Sequence, residues 1–205
     1  MPTLQPLSRR DIETTLRIER ETGAYYGRME IAVPSYERTF NVEIWLSDVW
    51  LSGERRPVIS DKTVETLNDV TMLSAAAREC IKSLLHEDAI RARREVVFAD
   101  PDPPAEPSSL GLRGGLFRPC KQFRSVALAH DDPRHPCYFE NGLPDVEQKI
   151  KWTGIRITEN DDVQDRFALL DCYPAWEDEH GVTVILRNGE PIALGPHDVD
   201  LSKYD

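Results

Sequence analysis

The chain of 205 residues carries 25 basic against 36 acidic side chains, a formal charge of -11. That length suits one ordinary domain with a core. The charge argues against nucleic acid, whose backbone it repels, and favours a cationic partner. With no basic-then-apolar leader and no apolar run of roughly 18 residues, a membrane is not an expected partner and the cytoplasm is the expected compartment.

In "SRRDIETTLRIERETG" the apolar positions Ile12, Leu16 and Ile18 predict a short amphipathic helix ending near Gly23, or an arm, over residues 1–23. Residues 24–205 read as one α+β domain. "YYGRMEIAVPSYERTFNVEIWLSD" holds two strand-like runs about a Pro-Ser-Tyr-Glu-Arg turn. In the second run Phe40, Val42, Ile44 and Leu46 alternate with Asn41, Glu43 and Trp45, so one face packs on a core and the other is polar with a tryptophan. From Val64 to Leu85 the apolar spacing becomes helical, with Ser60 or Asp61 as N-cap, predicting two helices or one broken at 70–74. The four prolines Pro101, Pro103, Pro104 and Pro107 make residues 100–109 a linker or exposed loop. The glycines of "GLRGGLF" lack the Lys-Ser/Thr of a phosphate loop.

Beyond residue 146 every signal is a strand. "EQKIKWTGIRITE" alternates about Trp152 and Ile155/Ile157, and "DRFALLDCYPAW" is an apolar run. "GVTVILRNGEPIAL" is a hairpin about Asn188-Gly189, a pair that tolerates the positive φ of a type I′ turn, with Val184 and Leu186 facing Ile192 and Leu194. The expected architecture is an antiparallel β-sheet covered on one face by two helices, with a C-terminal β-hairpin.

Two clusters carry side chains of catalytic type. Asp171, Glu177, Asp178, Glu179 and His180 offer oxygen and imidazole donors, but a single histidine after three acids between strands does not place its neighbours on one face as H-E-x-x-H does. The alternative is a tight acidic turn closed by Gly181, whose side chains bond local backbone. Cys120, His130, His135 and Cys137 are zinc-type donors without a CxxC or HxxxH knuckle. With Cys80 and Cys172 elsewhere, these cysteines fit reduced thiols better than a disulfide framework. No catalytic residue, metal or cofactor is expected.

"YYGRMEIAVPSYERTFNVEIWLSD" with the following helices, and "FALLDCYPAWEDEHGVTVILRNGEPIALGPHDV", resemble a bacterial domain family of unknown biochemistry with a C-terminal W-x-x-E-H-G hairpin signature. Its members are often encoded beside polymorphic toxins and are described as immunity proteins. The matching residues are Trp176, Glu177, Glu179, His180, Gly181, Asn188, Gly189 and Gly195, while residues 1–23 and 100–145 lie outside the likeness. The resemblance implies an immunity protein that occludes a cognate, basic toxin. Exposed acids would supply the on-rate and an aromatic anchor the residence time. The candidate partner-binding residues are Trp45, the acids Glu159, Asp161, Asp162 and Asp165, and the acids Glu177, Asp178 and Glu179. The rival readings are a metal-dependent hydrolase built on either cluster, and a scaffold protein without catalysis.

Overall fold

The computed structural model describes residues 5–21, 24–46, 59–98, 135–158, 163–177 and 179–205. In chain order they form α1 (Arg9–Thr15), β1 (Arg17–Glu21), β2 (Ala24–Val33), β3 (Arg38–Leu46), α2 (Asp61–Thr71), α3 (Ala75–Phe98), α4 (Leu143–Val146), β4 (Ile150–Thr158), β5 (Phe167–Pro174), β6 (Val182–Arg187) and β7 (Glu190–Gly195). The architecture is α+β. One seven-stranded sheet runs β1 to β7 in sequence order, antiparallel at every junction except β3–β4. Among the described residues no helix is long and apolar enough to cross a membrane. The proline-rich stretch 100–109 lies outside the described residues.

The N-terminal helix is shorter than its spacing predicts. Ser8 and Asp11 form a reciprocal capping box, but Leu16 is already extended and β1 pairs with β2 from Arg17 to Glu21. Only Ile12 of α1 is buried, so helix propensity yields to the strand partner after about two turns. The break between α2 and α3 has a capping cause. Ser60 Oγ accepts from the Thr63 amide at 3.1 Å to start α2, and Ser74 Oγ accepts from the Ala77 amide at 3.0 Å to start α3.

Strand alternation separates the two faces of the sheet. Met29, Ile31 and Val33 of β2, Phe40, Val42, Ile44 and Leu46 of β3, Ile155 and Ile157 of β4, and Ala168, Leu170 and Cys172 of β5 join Leu67 and Val70 of α2 and Ile81 and Leu85 of α3 in one buried cluster. A bulge between Trp152 and Gly154 brings Trp152 into this cluster, edge-on to Tyr36 and Phe40. On the opposite face a smaller cluster joins Phe167 and Leu169 of β5, Ile185 of β6, Val163, and Leu201 from the C-terminal segment, with Val199 and Tyr204 packed against it. The C-terminal segment therefore closes the β5–β7 half of that face. No such cluster occupies the β1–β4 half among the described residues.

Asn188 (φ 52) and Gly189 (φ 84) both take the left-handed conformation that a type I′ hairpin turn requires. The register beyond it corrects the expected one. Val184 faces Leu194, but a bulge sets Leu186 opposite Pro191 and leaves Ile192 without a partner, turning it toward the second cluster. Asn188 also latches the turn to the loop before β5: its Oδ1 accepts from the Arg166 amide and its Nδ2–H donates to Asp165. A Cβ on Gly189 would stand 3.2 Å from Asp69 Cβ. Gly189→Val should therefore cost about 1–3 kcal/mol through positive-φ strain. An unchanged thermal midpoint would refute this.

Arg78 ties α3 to the chain before β4. Its guanidinium binds Glu147 through two bonds of 2.5 and 2.6 Å, donates to the Ser35 carbonyl, and lies over the Tyr36 ring. Burial pushes the Glu147 carboxyl up, but the hydrogen bonds and charge of Arg78, with Lys82, outweigh it and hold the group below the usual glutamate range. A carboxyl depressed in the folded state adds stability above its unfolded pKa and loses it as pH falls through the folded one. Urea midpoints measured between about pH 6 and pH 3 should fall with acid, and Arg78→Met should flatten that slope. An unaltered slope in Arg78→Met would show that the pair does not contribute.

Candidate functional site

On the β1–β4 half, the face away from the larger cluster presents alternate residues of β1 to β4, with Asp171 of β5 beside them. Arg17 and Glu19 come from β1, Tyr26, Arg28 and Glu30 from β2, Asn41, Glu43 and Trp45 from β3, Gly154 and Arg156 from β4, and Asp171 from β5. Ion pairs run across the strands. Arg28 binds Glu19 at 2.5 Å and Glu43 at 3.1 Å, and the Glu43 backbone is in register with Arg156. Arg156 then grips Asp171 with two bonds of 2.5 and 2.8 Å, and Thr183 of β6 donates to Asp171 at 2.6 Å. Hydrogen bonding to Asp171 holds the Arg156 guanidinium above its usual pKa, against the desolvation of its half-buried position.

Of these, Arg17, Arg28, Glu30, Asn41, Glu43, Arg156 and Asp171 line a cleft of about 540 Å³ that extends from Thr15 and Arg17 across β2 and β3 to Arg156 and Asp171. Its floor of paired charges is preorganised, because each carboxylate in it already holds a fixed donor geometry. Three lining groups are different. Among the described residues the Arg17 guanidinium, the Glu30 carboxylate and the Asn41 carboxamide have no hydrogen-bond or ion-pair partner.

Trp45 stands two residues along β3 from Glu43 and is 44% exposed. Its ring is edge-on to Tyr26 at 5.3 Å, and its indole N–H donates to Glu43 at 2.9 Å. The exposed indole is thus held in one orientation. Its backbone pairs with Thr158, the residue that directly precedes Glu159 in the chain.

The acidic candidates separate into different environments. Glu159, Asp161, Asp162 and Asp178 lie outside the described residues. Asp165 is engaged internally, accepting from Asn188 at 2.7 Å and standing 3.7 Å from Arg187. Glu177 accepts from the amides of Glu179 and His180 at 3.2 and 3.0 Å, so its carboxylate organises the turn. Glu179 and His180 point to solvent, with 81% and 82% of their side chains exposed.

The W-x-x-E-H-G stretch has clear structural work. Trp176 donates to Asp88 of α3 at 3.0 Å and stands edge-on to Phe139 at 5.8 Å. Gly181 has φ +69, and a Cβ there would come within 2.7 Å of the His197 ring and 3.0 Å of the Cys172 carbonyl. Gly195 of β7 faces Thr183 of β6. The proposed hydrolase set is not one cluster of free donors: both Asp171 oxygens accept from Arg156 or Thr183, and Glu177 is spent on backbone amides. Of the zinc-type set, Cys120 and His130 lie outside the described residues, while His135 Nδ1 accepts from the Cys137 amide at 3.0 Å. Cys172 is buried, and that burial pushes its thiol up to about 12, away from nucleophilic use. Among the described residues no three His, Cys, Asp or Glu side chains are grouped to hold a metal ion.

Sequence reasoning found Trp45 and the polar parity of Glu43, but passed over Arg28, Arg156 and His197. A charge alternating with apolar residues in β2 and β4 was the available signal; which charge meets which depends on register, and the bulge in β4 shifts it.

Residues 112–201 match the model of a domain of unknown function (DUF6985), a stretch that includes β4 to β7. No curated protein and no solved structure matches the chain.

The Arg156–Asp171 pair is the part of this site whose structural contribution is separable. Arg156→Met leaves a buried carboxylate with Thr183 as its remaining side-chain donor, and should destabilise by about 2–4 kcal/mol, while Arg156→Met with Asp171→Leu should cost less than either single change. Denaturant titration of the three variants checks this. Additive losses would show that the two groups are not coupled.

Proposed function

We propose that this protein acts by binding: it is an immunity protein that neutralises a cognate toxin by occlusion, docking it on the β1–β4 half of the sheet. On this reading α2 and α3 cover the opposite face and leave that half for a partner. The observation that carries the proposal is Trp45, a large aromatic exposed at 44% yet fixed by Tyr26 and Glu43 beside a polar cleft. A preoriented indole loses little side-chain entropy on contact, which is what an interface anchor needs. The toxin itself comes from the resemblance of the W-x-x-E-H-G segment and from the net charge of -11, which favours a basic partner acting in the same compartment, the cytoplasm. On this reading the acids Glu159, Asp161 and Asp162 would contribute to steering the encounter.

Co-expression with the product of the adjacent gene tests the proposal. The protein should form a stoichiometric complex and protect the cell, and Trp45→Ala should weaken the complex by at least about tenfold without lowering the thermal midpoint. Association should slow as salt rises while dissociation changes little. A harmless neighbour, or protection without a complex, would overturn the reading.

A further inference from the structure

We infer that the docking surface recognises an extended segment of its partner, with a basic side chain at one position and a large apolar side chain four residues away. This rests on the reading that the β1–β4 half of the sheet is the docking face. Glu30 and Asn41 are directly opposed across β2 and β3, and both face the cleft with no partner among the described residues. A carboxylate beside a carboxamide oxygen offers convergent acceptors to an ammonium or guanidinium group.

Trp45 lies on the same face of the same strand, four residues beyond Asn41. Four residues of strand span about 13 Å. Between the two points the Arg28–Glu43 pair is already satisfied and asks for no charge from the occupant.

The spacing selects the conformation of the occupant. An extended segment laid along β3 repeats the same rise and the same alternation, so its residues i and i+4 reach both points from one face. A helix would cover about 13 Å only with residues roughly nine apart, since it rises about 1.5 Å per residue.

The sign of the charge is argued from two observations. The chain's -11 draws cations toward the surface, and Glu30 is the carboxylate of the cleft left without a partner among the described residues. Arg17 opposes Arg28 across β1 and β2 and is the unpartnered cation of the same cleft. It repels a basic occupant, so its loss should strengthen binding. Removal of Glu30 should weaken it.

The test uses the full chain and two labelled peptides of strand-forming composition, Thr-Lys-Thr-Thr-Thr-Leu-Thr and the same sequence with Glu for Lys, titrated by fluorescence anisotropy at low salt. The lysine peptide should bind at least about tenfold tighter than the glutamate peptide. Glu30→Gln should erase that preference, Arg17→Gln should tighten the lysine peptide, and Trp45→Ala should weaken both peptides alike. Thermal midpoints confirm that each surface variant is folded. Preference for the glutamate peptide would make the cleft an anion site and overturn the inference, as would equal binding of the two or no binding. Peptide discrimination without protection in co-expression would retain this inference and reject immunity; protection without peptide discrimination would do the reverse.

Discussion

The parallel pairing of β3 with β4 is the constraint on which the rest of this fold depends. Val42 meets Ile155 and Ile44 meets Ile157 across it, joining an N-terminal meander to a C-terminal one in a single sheet. Antiparallel neighbours need only a tight turn, but a parallel pair needs the chain to travel back past the whole length of the strand. Here the return contains α2 and α3, whose Leu67, Val70, Ile81 and Leu85 share one buried cluster with the inward residues of both meanders. A crossover packs on one side of its sheet. The two faces are therefore unequal from the outset.

On the second face the described residues cover the two halves differently. After β7, the segment carrying Val199, Leu201 and Tyr204 packs on Phe167, Leu169 and Ile185, and Asp205 receives the amides of Gln164 and Asp165. That segment packs on the β5–β7 half. On strands β1 to β4 arginine and carboxylate alternate, so Arg28 is neutralised by Glu19 and Glu43 and Arg156 by Asp171 of β5, while Arg17 and Glu30 have no such partner among the described residues. The ladder keeps this half of the face polar, and the same ladder orients Trp45 through Glu43.

Elements were legible where local chemistry decides them. Ser60 as a cap, the strand alternation of Phe40 to Leu46, and positive φ at Asn188-Gly189 all follow from residue type and period. The misreadings fall where a distant partner decides. Arg17 to Glu21 continues a helical pattern in sequence and becomes a strand because β2 is there to pair with it. Ile192 sits at the parity of Leu194, yet a bulge opposite Leu186 turns it to the other face. At the site, Trp45 could be read from its strand, whereas the Arg156–Asp171 contact could not: the β4 bulge sets which residues face each other, and no single-strand pattern carries that register.

The acidic turn shows how one segment can look like chemistry and serve architecture. Glu177, Glu179 and His180 have the composition of a ligand set, but two backbone amides already occupy the Glu177 carboxylate, and the other two side chains reach into solvent. Gly181 lets the chain turn with positive φ, and the space a Cβ would fill is taken by His197 from the C-terminal segment. His197 in turn stands 4.0 Å from Asp171, at the end of the charge ladder, and edge-on to Tyr173. The turn, the C-terminal segment and the charge ladder are thus packed against one another, so a change at Gly181 would reach the Arg156–Asp171 end of the cleft by displacing the His197 ring.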